Sequence, residues 1–147
     1  MGQIIPIAAD HAGFELKEQL KHYLESLGYQ IKDMGTYSNE SVDYPDIIHP
    51  LAKEIDEGKY SFGIIMCGTG NGVSMVANKY RNVRCALCWQ KEISQLAKQH
   101  NNANIIALPA RFINLDTAKD IIDAYLSATF EGGRHERRIK KIPPKND

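Results

Sequence analysis

The sequence predicts an α/β fold, a five-stranded parallel sheet with helices on both faces. Three observations carry this: five short apolar or β-branched runs, helical stripes at three- and four-residue spacing between them, and a glycine cluster where the third run ends. Strands alternating with helices require right-handed crossovers, which lay helices over both faces of a parallel sheet. Ligands of such sheets bind beyond the carboxyl ends of the strands, so residues at those ends are the first candidates for chemistry.

The first strand is Gln3 to Ala9, where Pro6 is an irregularity that an edge position or the bonding pattern must absorb. Asp10-His11-Ala12-Gly13 follows its carboxyl end. Leu16, Leu20, Leu24 and Leu27 then mark an amphipathic helix that Gly28 stops. Tyr29 to Asp33 is a short second strand, and a polar loop from Gly35 to Asp43 leads into Tyr44-Pro45. A helix over about Pro45 to Glu57 follows, with proline in its first turn and Ile48, Leu51, Ala52 and Ile55 as its stripe. Phe62 to Met66 reads as a buried third strand. It ends in Cys67 and breaks into Gly68-Thr69-Gly70-Asn71-Gly72, after which Val73 to Lys79 is helical. Val83 to Cys88 is the fourth strand, Gln90 to His100 a helix and Ile105 to Leu108 the fifth strand, ended by Pro109 with Arg111 just beyond. Leu115 to Ala128 is a long amphipathic helix, and Gly132-Gly133 sets apart a basic segment, 134–142.

The bulk numbers narrow the class. A chain of 147 residues fits one domain able to bury a core without disulfides or metal. Eighteen basic and eighteen acidic side chains cancel, which removes the broad positive footprint of a nucleic-acid binder and points to a small ligand. No charged leader precedes a long apolar run and no membrane-length apolar stretch occurs, so a soluble protein without membrane partners is expected. Three cysteines, an odd number, fit reduced thiols in the cytoplasm.

The glycine loop lacks the Lys-Ser/Thr ending of a phosphate-binding P-loop, and its alternating glycines after the third strand do not match the dinucleotide fingerprint. Its backbone N–H groups can nevertheless turn toward an anion, or the loop is simply a tight connection. Cys67 has two readings as well. Free cysteine is commonly a small buried hydrophobe, yet one between a strand end and a helix N-terminus is placed to act as base or nucleophile. Cys85 and Cys88 read as structural, because residues three apart in a strand face opposite ways and no second ligand pair completes a zinc site. His22 and His49 lie within helix patterns, whereas His11, His100 and His135 lie at element ends. Arg134 and Arg138 are one helical turn apart and can hold a phosphate together. His100 and Asn101 belong to the far end of a crossover, so either an unusual path within the chain or a second subunit brings them to the strand ends.

Taken jointly, Asp10-His11-Ala12-Gly13, Asp43-Tyr44-Pro45, Cys67-Gly68-Thr69-Gly70-Asn71-Gly72, Ala77-Asn78-Lys79, His100-Asn101 and Gly132-Gly133-Arg134-His135 make the chain similar to type B ribose-5-phosphate isomerases, within the ribose/galactose sugar-phosphate isomerases. The resemblance covers nearly the whole length. It implies a Rossmann-like three-layer αβα sandwich and a homodimer with sites shared between chains, with pairing of dimers into a tetramer left open. It also implies metal-free and cofactor-free interconversion of ribose 5-phosphate and ribulose 5-phosphate, a step of the non-oxidative pentose phosphate branch. By similarity, His100 opens the furanose ring with help from Asp10 and Thr69, and Cys67 moves the proton between C2 and C1. The N–H groups of Gly68, Gly70, Asn71 and Gly72 then face the enediolate, and Tyr44 and Asn101 contact the sugar. His11, Arg134 and Arg138 become phosphate ligands, with Arg111 reaching in from the partner chain. Related family activities on allose 6-phosphate or galactose 6-phosphate, and a binding module without chemistry, are the competing functions.

Overall fold

The computed structural model describes residues 2–145. Strands β1 (Ile4–Ala9), β2 (Gln30–Asp33), β3 (Gly63–Cys67), β4 (Cys85–Leu87) and β5 (Ile105–Pro109) form one sheet in the order β2-β1-β3-β5-β4, with every pairing parallel. The three inner strands are buried almost throughout, while the edge strands β2 and β4 are half-covered. That is the burial a parallel sheet acquires when crossover helices cover both faces.

Strand alternation sends side chains into two separate cores. Ile5, Ile7, Ala9, Ile64, Met66, Ile106 and Leu108 pack under α1 (Phe14–Ser26), α4 (Lys91–Asn101) and α5 (Leu115–Ser127). Ala8, Ile65, Cys67, Ile105 and Ala107 pack under α2 (Tyr44–Asp56) and α3 (Asn71–Ala77). The result is the three-layer αβα sandwich expected from the pattern. Each fully buried isoleucine, leucine or methionine in these cores contributes about 1.5 to 3 kcal/mol. A short helix, α6 (Arg134–Ile139), occupies the basic segment and packs against α4.

Two boundaries differ from the sequence expectation for local reasons. Gly70, at φ +76°, takes the whole turn, so Asn71 and Gly72 already lie in the first turn of α3. Strand β4 starts only at Cys85 because the Arg84 N–H is taken by the Asn104 side chain, 2.7 Å away. Pro6 is not at an edge, since β1 runs between β2 and β3. The Ala9 N–H bonds Gly35 on the β2 side, so by alternation the Pro6 nitrogen faces β3, where pairing begins only at Ile7. The missing donor therefore falls outside the ladder.

One charged network ties α1 to the end of β2. Lys17 is fully buried, with Nζ 2.7 Å from Asp33 Oδ2 and 2.9 Å from Glu18 Oε2, and Lys21 reaches the same Asp33 oxygen at 2.7 Å. Burial pushes the Asp33 carboxyl up, but hydrogen bonds from Lys17, Lys21 and the Gly35 N–H outweigh it and hold the group below its ordinary value. Because the folded value is depressed, this contribution to stability is present above the unfolded carboxylate range and is lost as pH falls through the folded value. Asp33→Asn is expected to cost about 3 kcal/mol near neutral pH, since it strips a buried lysine of its main partner. The deficit should shrink in urea unfolding repeated below about pH 4; a deficit independent of pH would refute the charge account.

Candidate active site

The chain leaves β1 in two directions, to β2 on one side and β3 on the other, and Ala9 lies opposite Met66 in the register. The residues just past this point, Asp10 and Cys67, are thereby neighbours at the crevice where a doubly wound sheet takes its ligand. Asp10 is 8% exposed. Its Oδ1 accepts the N–H groups of Ala12 at 2.9 Å and Gly13 at 3.2 Å, which fixes the carboxylate at the mouth of α1. Beside it His11 accepts the Val42 N–H on Nδ1 at 3.2 Å. When neutral, that ring carries its proton on Nε2, ready to donate. Asp10, His11, Val42 and Tyr44 line a groove of about 580 Å³.

Cys67 is 6% exposed, and its Sγ accepts the Gly70 N–H at 3.2 Å. Thr69 is exposed, and its Oγ1 accepts the Asn71 N–H at 3.2 Å. The loop is bordered on two sides by close neighbours, Tyr44 at Gly72 and Arg111 at Gly68. A Cβ on Gly72 would fall 2.4 Å from Cε1 of Tyr44, so the tyrosine ring at the head of α2 lies directly on the loop. A Cβ on Gly68 would fall 3.2 Å from Cδ of Arg111. The Arg111 N–H also donates to the Gly68 carbonyl at 3.0 Å. Within its own chain Arg111 lies over the glycine loop, because β5 pairs with β3 and brings the two post-strand loops together.

His100 and Asn101 are not part of this cluster. They end α4, which delivers the chain to the amino end of β5, where the Asn104 carbonyl accepts the Gly63 N–H. Cys67 is at the opposite end of β3, beside Pro109. The four-residue advance from Gly63 to Cys67 separates the two ends by about 13 Å. His100 instead stacks on His135, with ring centroids 4.3 Å apart and planes at 9°. Arg134 and Arg138 are exposed on α6 in the same neighbourhood, while His135 and Ile139 face inward.

Glu131, which nothing in the sequence singles out, stands at the edge of the stacked pair. Its Oε1 is 3.7 Å from His100 Nε2 and 3.5 Å from His135 Nε2. Burial and the nearby His100, Arg134 and Arg138 push His135 below an ordinary histidine, against the opposing pull of Glu131. Cys85 and Cys88 sit on opposite faces of the sheet as free thiols, and burial pushes them up to about 12 and about 11. Neither carries the lowered value that marks a reactive thiol. His22 and His49 are exposed, the latter 2.7 Å from the Tyr80 hydroxyl.

The family model for Ribose/Galactose Isomerase matches residues 5–142. The chain is 40% identical to ribose-5-phosphate isomerase B of Escherichia coli over 138 residues, covering 94% of this chain and 93% of that one. A ribose 5-phosphate isomerase from Thermotoga maritima superposes with a TM-score of 0.95 at 50% identity, covering 99% of this chain and 100% of its own. Ribose-5-phosphate isomerase B from Mycoplasma genitalium, solved with bound ribulose-5-phosphate, superposes with a TM-score of 0.91 at 40% identity, covering 97% and 95%. With the crevice, the glycine loop and a match over nearly its whole length, the chain belongs to the ribose/galactose isomerase family.

Proposed function

We propose that this protein interconverts D-ribose 5-phosphate and D-ribulose 5-phosphate. The observation that carries the reading is Cys67 at the end of β3, its sulfur held by the Gly70 N–H and Asp10 beside it at the end of β1. An aldose becomes a ketose when the C2 proton is removed and returned to C1, while the O2 proton is given up and O1 gains one. Cys67 as thiolate takes the C2 proton and, as thiol, delivers it to C1. The enediolate between the two transfers needs donors aimed at its oxygens, and losing one such donor typically costs about 10² to 10³ in rate. The loop Gly68 to Gly72 supplies N–H groups for that purpose, although Gly70 donates to the sulfur and Asn71 to Thr69.

Ring opening precedes this chemistry. His100 serves as its acid and base with Asp10 and Thr69, and Asn101 and Tyr44 hold the sugar. The strand-length separation of His100 from Cys67 within one chain supports a homodimer in which each site pairs the Cys67 half of one chain with the His100 half of its partner. The phosphate is held by His11 and Arg111 from the first half and by Arg134 and Arg138 from the second. Binding energy from this remote group orients C1 and C2 for reaction. The proton leaves and returns within one substrate, so the reaction calls for no redox partner.

Purified protein treated with a chelator is expected to turn over ribose 5-phosphate faster than allose 6-phosphate or galactose 6-phosphate. Turnover of a six-carbon substrate alone would overturn the substrate assignment, and none on any sugar would overturn the isomerase. Cys67→Ala is expected to lower kcat by about 10² to 10⁴ while the fold, read by circular dichroism, stays intact; near-normal turnover would remove the base assignment. His100→Asn should spare an open-chain aldose phosphate more than a cyclic one, and equal losses on both would count against ring opening. Arg134→Ala should raise KM about tenfold or more with a smaller change in kcat. An unchanged KM would put the phosphate elsewhere.

A further inference from the structure

The His100, Glu131 and His135 donors come from α4, from the segment before α6 and from α6 itself, so no spacing in the sequence announces them. Their ligating atoms, one ring nitrogen from each histidine and a carboxylate oxygen, lie within 4.8 Å of one another. His135 is 7% exposed, and its Nε2 is buried without a hydrogen-bond partner. The nearest carboxylate oxygen, at 3.5 Å, is within ion-pair range only. A buried imidazole nitrogen with its lone pair or proton unsatisfied is costly unless something at times occupies the space in front of it.

Two histidines and one carboxylate are a donor set of zinc sites that keep an open position. Donors at zinc bond lengths in a tetrahedron sit about 3.3 Å apart, close to the 3.5 and 3.7 Å found between Glu131 and the two rings. The two nitrogens have to converge, and rotation of His100, the more exposed of the pair, brings its lone pair out of the parallel stack toward the shared point. Arg134 and Arg138 flank the cluster and disfavour weakly ligated cations. The site therefore selects metals with strong imidazole affinity over magnesium or calcium.

We propose that His100, Glu131 and His135 bind a zinc-class divalent ion, and that its occupation withdraws His100 from the sugar and reversibly inhibits the enzyme. The inhibitory consequence rests on the ring-opening role assigned to His100 above; the metal site does not.

The test is a titration of the full-length protein with Zn²⁺ against a chromophoric chelator, repeated with Co²⁺ to record its visible spectrum. One ion per chain is expected, with a cobalt spectrum of nitrogen and oxygen ligands. Glu131→Gln, an exposed position, should weaken binding by at least about tenfold. His135→Gln should do the same, with folding checked by circular dichroism. No stoichiometric binding, affinity unchanged in Glu131→Gln, or a thiolate-to-cobalt band that moves the ion to the cysteines would each overturn the site. Inhibition by Zn²⁺ should follow occupancy and reverse with chelator, and an occupied site with full turnover of cyclic substrate would overturn the inhibitory link. Absence of turnover even in chelator would instead defeat the isomerase reading, while the titration would still decide the metal site.

Discussion

The pairing of β1 with β3 is the constraint on which the site depends. Each strand ends in a different kind of residue, a carboxylate after one and a thiol at the other, and only their adjacency in the sheet makes them a pair. Their side chains are then fixed by backbone donors of the following turns. Asp10 is held by the first amides before α1, and Cys67 by the amide of Gly70 before α3. Both turns are short, so neither group can relax without moving a helix start that is anchored in a packed core. Preorganisation of this kind is what proton transfer needs, because a misplacement of about 1 Å can cost about a hundredfold in rate.

Under the proposed function, the same architecture accounts for a site divided between two chains. In a parallel αβ sandwich every strand ends on one side of the sheet and every crossover helix ends on the other. A residue at a helix C-terminus, such as His100, is therefore about one strand length from a residue at a strand C-terminus, such as Cys67. No local rearrangement of loops closes that gap while the sheet stays paired. A two-fold relation that set the helix-end surface of one copy against the strand-end surface of the other would close it, and would do so twice. Under the proposed function, the sharing of the site follows from the topology of the sheet.

The legible part of the sequence was whatever local periodicity and punctuation determine. The stripe Leu16, Leu20 and Leu24, the buried run before Cys67 and the alternation of strands with helices each reflect which atoms must leave water, and each element appears within a residue or two of its expected place. Strand order was not legible, because β5 inserting between β3 and β4 depends on packing among helices far apart in the chain. The two contacts that hold the glycine loop were hidden for the same reason. Arg111 reaches Gly68 only because β5 is the neighbour of β3, and Tyr44 reaches Gly72 only because α2 and α3 share a face. The stacked His100 and His135 with Glu131 were invisible in the strictest sense, since the three donors lie on separate segments and one of them carries no motif.

These contacts change what the alternating glycines mean. A loop that served only to expose N–H groups would tolerate alanine wherever φ is negative. Here Gly68 is confined by Arg111, Gly70 by its positive φ and by Leu87, and Gly72 by the face of the Tyr44 ring. Backbone conformation demands Gly70, the Tyr44 ring demands Gly72, and Gly68 is held only by a tight contact with the Arg111 side chain. The loop is thus a surface on which a cation and an aromatic ring rest. Substituting Gly72 would displace the Tyr44 ring, which the proposed function assigns to the sugar, before it disturbed any amide. A defect in substrate binding at that position would accordingly belong to the ring and not to the backbone of the loop.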